Sequence, residues 1–337
     1  MRTSKRDVVL FSLVLFCLAA RLHASCGSAS CPLDSNAFNQ PAPRGWALDL
    51  SFQYIDQDQP RIGTHEADVG ELPTDHDEVR TLNRSAAVRA SYAWSPELHF
   101  GVTVPYVSRF HEHLESEGHE PAKHEGGEPG VSEEWQLQGL GDIALGLERR
   151  LWSAGRTSLW GTAAIELPSG PDDLDNDDGE VAEQPIQPGS GSTDAILGVV
   201  LRGAALRQTR REGGMGNTSA IPWFASVSFR RNGKGREDYR VGDEWQAYLG
   251  AAYPVAQRVD ALLQLNARWR GKDAPGTSGE DPDFTGGSFL FVSPGARVQV
   301  GGGWSAYGYL QLPIRQDVNG EQLTASHNWL FGIQTAF

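Results

Sequence analysis

The sequence predicts an all-β chain closed into an antiparallel transmembrane barrel of about twelve strands. Three observations carry that expectation. Apolar and polar residues alternate with period two from Trp46 to Phe337, and amphipathic helical spacing is hard to find among them. Short links alternate with long polar ones, as in barrels with short periplasmic turns and long extracellular loops. The apolar faces end in aromatic residues, whereas the opposite faces carry charges that a dry sandwich core would not tolerate.

Composition agrees once alternation is considered. The 337 residues are 39% hydrophobic and include 39 glycines, and the mean hydropathy is -0.40. Lipid-facing and lumen-facing residues cancel in such an average. The net charge of -14 argues against a nucleic-acid partner, which would need a basic face for phosphates.

The chain opens with the pattern of a secretory signal over residues 1–24. Arg2, Lys5 and Arg6 precede the apolar stretch Val8 to Ala20, too short to span a bilayer as a helix, and Ala24 offers a small residue before the cut. A periplasmic leader, 25–43, then carries Cys26 and Cys31, expected as a short-loop disulfide in an oxidising compartment. Acylation of Cys26 is disfavoured by His23, where a lipoprotein signal places an aliphatic residue.

The barrel is expected over 44–337. Its first strand, 44–55, sets Trp46, Leu48, Leu50, Phe52 and Tyr54 on one face and Ala47, Asp49, Ser51 and Gln53 on the other. The second, 82–94, alternates Ala86, Val88, Ala90, Tyr92 and Trp94 with Ala87, Arg89, Ser91 and Ala93. After the Ser95-Pro96-Glu97 turn, strand 98–109 repeats the pattern through Leu98, Phe100, Val102, Val104 and Tyr106. Nine more follow at 139–152, 157–167, 193–204, 221–231, 244–254, 259–270, 287–300, 303–313 and 326–337. The links at 95–97, 153–156, 255–258 and 301–302 are short. Those at 56–81, 110–138, 168–192, 232–243, 271–286 and 314–325 are long. Segment 205–220 is long on the short side, and the strand count is least defined there. The last strand aligns Trp329, Phe331, Ile333, Thr335 and Phe337, and a terminal Phe resembles the signal that outer-membrane barrels present to their assembly machinery.

Several segments carry a family resemblance: GVTVPYV at 101–107, GLGDIALGLERRLW at 139–152, LPSG at 167–170, GSGSTDAILG at 189–198, FVSPGARVQ at 291–299 and LPIRQDVNGEQL at 312–323. In that order and spacing they resemble the MetA-pathway-of-phenol-degradation family of bacterial outer-membrane channels. The resemblance implies an outer-membrane β-barrel in the neighbourhood of aromatic catabolism. It does not extend to the CGSASC leader or to the histidine-rich link.

Inward parity nominates Asp49, Arg89, Glu148, Arg150, Glu166, Asp260, Arg268 and Arg297 as pore-lining residues, or as charges that brace the barrel by pairing with one another. The link at 110–138 carries His111, His113, His119 and His124 among eight glutamates, and the first long link adds His65 and His76. Imidazole and carboxylate together suit Zn, Cu or Ni, and an HxH pair on extended backbone can chelate. The alternative is a solvated acidic loop. Asp173, Asp175 and Asp177 imitate the start of a calcium loop, but Asp178 replaces its glycine and Gln184 its final glutamate, so only loose Ca or Mg binding is expected. The first three long links hold 23 of the 43 acids, which makes the expected mouth negative and favours cations on approach.

No nucleophile–base pair stands out, and no cofactor is required. The sequence therefore points to an outer-membrane channel for a small solute, surrounded by membrane lipid and lipopolysaccharide. The alternative is a plugged barrel that captures divalent metal or a partner through 56–81 and 110–138.

Overall fold

The computed structural model describes residues 44–69, 71, 76–115, 131–211, 214–277 and 282–337. The expected signal, the Cys26/Cys31 leader, His119 and His124 lie outside the described residues. Among the described residues, sixteen strands follow in chain order: β1 (Gly45–Gln57), β2 (Gln59–Ile62), β3 (His65–Glu66), β4 (His76–Ser95), β5 (Leu98–Glu115), β6 (Val131–Leu140), β7 (Ile143–Ala154) and β8 (Thr157–Leu167). They continue as β9 (Asp194–Arg211), β10 (Gly214–Arg231), β11 (Glu244–Ala256), β12 (Val259–Arg270), β13 (Gly287–Gly301), β14 (Trp304–Val318), β15 (Glu321–Thr324) and β16 (Asn328–Ala336).

Thirteen of them form one antiparallel sheet that closes on itself, because β1 pairs with both β4 and β16 while β4 also pairs with β5. Strands β6 and β7 occupy a single stave. The former pairs with Tyr106–Glu115 of β5 and the latter with Leu98–Thr103, and the Gly141 N–H donates to Pro105 O between them. The barrel therefore has twelve staves. Its first and last strands meet through reciprocal Trp46–Phe337 backbone bonds of 2.8 Å. Closure pairs the wall's backbone groups within the barrel, the condition for crossing a bilayer with strands. A separate three-stranded sheet, β15-β2-β3, sits at the extracellular end.

The alternation sorts as expected. Trp46, Leu50, Phe52, Val88, Trp94, Leu249, Leu263, Trp269 and Ile333 are exposed on the outside. Aromatic pairs mark both ends of this belt, with Trp46–Tyr92 at 4.9 Å and Phe229–Trp245 at 4.8 Å between ring centroids. Together the closed ring, its apolar belt and its aromatic girdles make this an outer-membrane barrel.

Two expectations need correction. The links 56–81, 110–138 and 314–325 are shorter than expected, because β1, β4, β5, β6 and β14 continue above the aromatic belt as polar strands. Apolar alternation stops where the lipid stops, although the hydrogen-bond ladder does not. Segment 205–220 also holds no long loop: β9 and β10 simply run on, paired from Ala195↔Arg231 down to Arg211↔Gly214.

Candidate lumen and mouth

The interior has two sectors. Strands β10–β14 and β16 contribute a buried cluster that includes Phe224, Tyr248, Phe289, Phe291, Tyr307 and Tyr309. A polar ladder threads it: Gln264 donates to Tyr309 Oη at 3.0 Å, Ser293 to Asn266 Oδ1 at 2.7 Å, and Asn328 to Gln311 Oε1 at 2.7 Å. Gln264, Asn266, Ser293 and Gln311 are fully buried, so this sector's side chains pack closely on one another. Gly332 leaves space for the Tyr307 ring, since a Cβ there would stand 2.3 Å from Tyr307 Oη. That ring reaches across β16 to donate to Asp49 at 2.9 Å.

The other sector is ionic. Arg230 donates to Glu166 at 2.5 Å and to Asp194 at 3.3 Å. Arg202 meets Glu148 at 2.7 Å, Arg89 approaches the same carboxylate at 4.0 Å, and Arg268 pairs with Glu244 at 2.6 Å. Nearer the periplasmic end, Arg297 pairs with Asp260 at 2.8 Å. Arg150 stands at the rim, paired with Glu97 at 2.5 Å, and its guanidinium lies 6.0 Å from the Trp160 ring. His99 packs on that ring at 4.8 Å and Arg202 lies 5.3 Å from it. All eight residues nominated by parity thus lie on the inner face or its rim, and each is engaged in a pair. Sequence reasoning missed Trp160, Arg202, Arg230, Asp194 and Glu244, which the same parity on β8–β11 would have found.

The mouth is narrowed by segment 168–193, which folds inward. Its residues Ala182, Gln184, Ile186 and Gln187 are buried, and Ala182 and Ile186 pack with Trp135 and Leu137 of β6. The Trp135 indole donates to Glu180 O at 3.1 Å, while Arg109 donates to the carbonyls of Pro185 and Gln187 at 3.3 Å each. Gln187 ties the segment to itself through Leu174 and Ala182. Both legs converge on one carboxylate in the gap between β6 and β7. Asp142 Oδ1 accepts from the N–H groups of Ser169 and Gly170, and Oδ2 accepts from Ser190 N and Oγ. The legs touch at Gly170 and Gly189, where a Cβ on Gly189 would lie 2.5 Å from Gly170 O. Asp175 bridges to Val181, and the Asn176 side chain accepts from Asp178 N and Glu180 N. The Asn176 side chain thus closes this turn, with Asp173, Asp175 and Asp177 along it.

His111 and His113 do not stand on an open loop. They project inward from the extended β5, where His111 bonds Thr81 at 2.8 Å, His113 meets Glu133 at 3.3 Å, and both pack against Trp135. Their rings are 5.8 Å apart and nearly perpendicular. His65 lies in β3 and His76 opens β4. Among the described residues, no group of three or more His, Cys, Asp or Glu is placed to hold a metal ion.

No family model matches the chain, and no curated protein matches it. Solved structures do. An outer-membrane channel from Pseudomonas putida F1 superposes with a TM-score of 0.56 at 14% identity, covering 91% of this chain and 100% of that one. The transport unit of the autotransporter AIDA-I from Escherichia coli gives 0.48 at 8%, covering 91% and 93%. A toluene transporter of Pseudomonas putida gives 0.38 at 11%, covering 93% and 96%. The first of these shows the fold, that of an outer-membrane β-barrel.

Proposed function

We propose that this barrel is an outer-membrane channel for a small solute, closed in this structure by segment 168–193. The observation that carries the reading is the clasp at Asp142, which holds both legs of the segment by side-chain bonds to a single carboxylate. A segment so held can leave the mouth without breaking the barrel's ladder. The filled aromatic and amide wall suits a permeant with apolar and polar parts, and the acidic mouth concentrates cations. Membrane lipid and lipopolysaccharide surround the wall, and the assembly machinery would read the strand that ends in Phe337. The test is planar-bilayer conductance of folded, heat-modifiable protein. Discrete openings are expected, and their complete absence counts against a channel.

The closely packed interior favours a second reading, a plugged barrel whose outer segments capture a divalent metal. Calorimetry with Zn²⁺ separates the two. Equal affinity in wild type and in a variant lacking His111, His113, His119 and His124 would remove the metal from the account.

A further inference from the structure

Outside the barrel, high on the wall, β4, β5 and β6 enclose a cleft of about 370 Å³ lined by Arg80, Arg84, Ser108, Phe110, Gln136 and Gln138. The pairing registers fix its height. Trp329 faces Tyr54, Tyr54 faces Arg84, Arg84 faces Ser108, and Ser108 faces Gln138. The outer aromatic girdle thus continues around the wall and becomes polar where the cleft begins. Arg80 is held bidentate by Asp56, at 2.9 and 2.7 Å, which fixes and neutralises it at the cleft edge. Among the described residues, Arg84, Ser108, Gln136 and Gln138 make no side-chain hydrogen bond or ion pair. One row higher, Glu112 and Glu134 face each other on the outer wall, with Ser132 donating to Glu112.

We propose that this cleft binds the phosphorylated sugar headgroup of an outer-leaflet glycolipid. The inference rests on the barrel's placement in the outer membrane and not on whether it conducts. A guanidinium offered to the lipid interface with no protein counter-charge is matched by phosphate, which it grips with two parallel donors. The hydroxyl and two amides beside it suit sugar hydroxyls. Glu112 and Glu134 cap the cleft with acceptors, which favours a ligand rich in hydroxyls over a cluster of free anions. Phe110 supplies an apolar contact for the headgroup.

The experiment is a lipid titration of the purified full-length barrel in detergent, read by native mass spectrometry. The probes are diphosphoryl lipid A, phosphatidylglycerol and inorganic phosphate. Wild type is expected to retain lipid A, R84Q to bind it at least tenfold more weakly, and R84K to fall between them because charge survives without the two-pronged grip. Should R84Q fail the heat-modifiability check for folding, a Gln136→Ala, Gln138→Ala double variant takes its place, with weaker lipid A retention expected. Undiminished binding in the folded variant overturns the site. Displacement of lipid A by equal phosphatidylglycerol or inorganic phosphate overturns the glycolipid as its occupant. A barrel that binds lipid A but never conducts would sink the channel and leave this site standing.

Discussion

Replacing Asp142 by alanine tests the gate most directly. The carboxylate accepts at 3.0 Å from Ser169 N, at 2.9 Å from Gly170 N, and at 2.7 and 2.6 Å from Ser190 N and Oγ. A hydrogen bond to a charged group contributes about 1.5–3 kcal/mol when its partner would otherwise go without. The four bonds act as a unit and are not additive, and donors freed at the mouth regain water. A net loss of about 3 kcal/mol from the closed state follows, roughly 150-fold in the closed-to-open ratio. A channel open about 1% of the time would then be open about 60% of the time. The assay is single-channel recording, with heat-modifiable migration as the control for folding. Asp142→Asn should fall between the two, because a carboxamide keeps only one acceptor oxygen. If folded D142A opens no more often than wild type, the clasp does not hold the gate.

Further outcomes follow from the same structure. Gly189→Ala places a Cβ 2.5 Å from Gly170 O, so the legs must part to admit it and the open probability should rise as in D142A; unchanged gating would show that the legs need not touch. Arg230→Ala leaves Glu166 and Asp194 buried without their cation and should cost about 3–5 kcal/mol, seen as a lower urea midpoint. Adding Glu166→Gln and Asp194→Asn should recover much of that loss, and failure to recover would locate the cost elsewhere. Tyr307→Phe removes the donor to Asp49 and should lower stability by about 1–2 kcal/mol. Reversal potentials should show cation preference at low salt that fades near 1 M, where screening shortens to about 3 Å; selectivity indifferent to salt would place its origin inside the lumen instead.

The fold was legible because alternation is a local signal. Trp46, Leu50 and Phe52 could be assigned outward, and Asp49 inward, from their spacing alone. The outer extensions of β4, β5 and β6 were not legible, since Thr81, His111 and Trp135 lie above the lipid, where both faces are polar or wet and no period marks the strand. His111 and His113 looked like loop ligands for that reason. The clasp was half visible. GLGD at 139–142, LPSG at 167–170 and GSGS at 189–192 stood out as motifs, but nothing local says that they meet. Their convergence on Asp142 depends on the gap between β6 and β7, a tertiary feature.

The braces also bear on the proposed gate. Glu148 of β7 reaches Arg202 of β9, Glu166 of β8 reaches Arg230 of β10, and Asp49 of β1 reaches Tyr307 of β14, each across an intervening strand. Contacts that skip a strand fix the curvature of the wall as well as its pairing, so widening the ring would strip several buried charges of partners at once. That cost rises steeply in a poorly hydrated interior. Segment 168–193 lies under a different constraint. Among the described residues no strand pairing joins it to the wall; the side chains of Asp142, Arg109 and Trp135 hold its backbone, Ser169 Oγ accepts from Ile143 N, and Ala182 and Ile186 pack on Trp135 and Leu137. Elements that move are drawn from the least stable part of a fold. The wall is braced by buried ion pairs, whereas the inward segment is held without strand pairing, so D142A tests release of that segment and not widening of the ring.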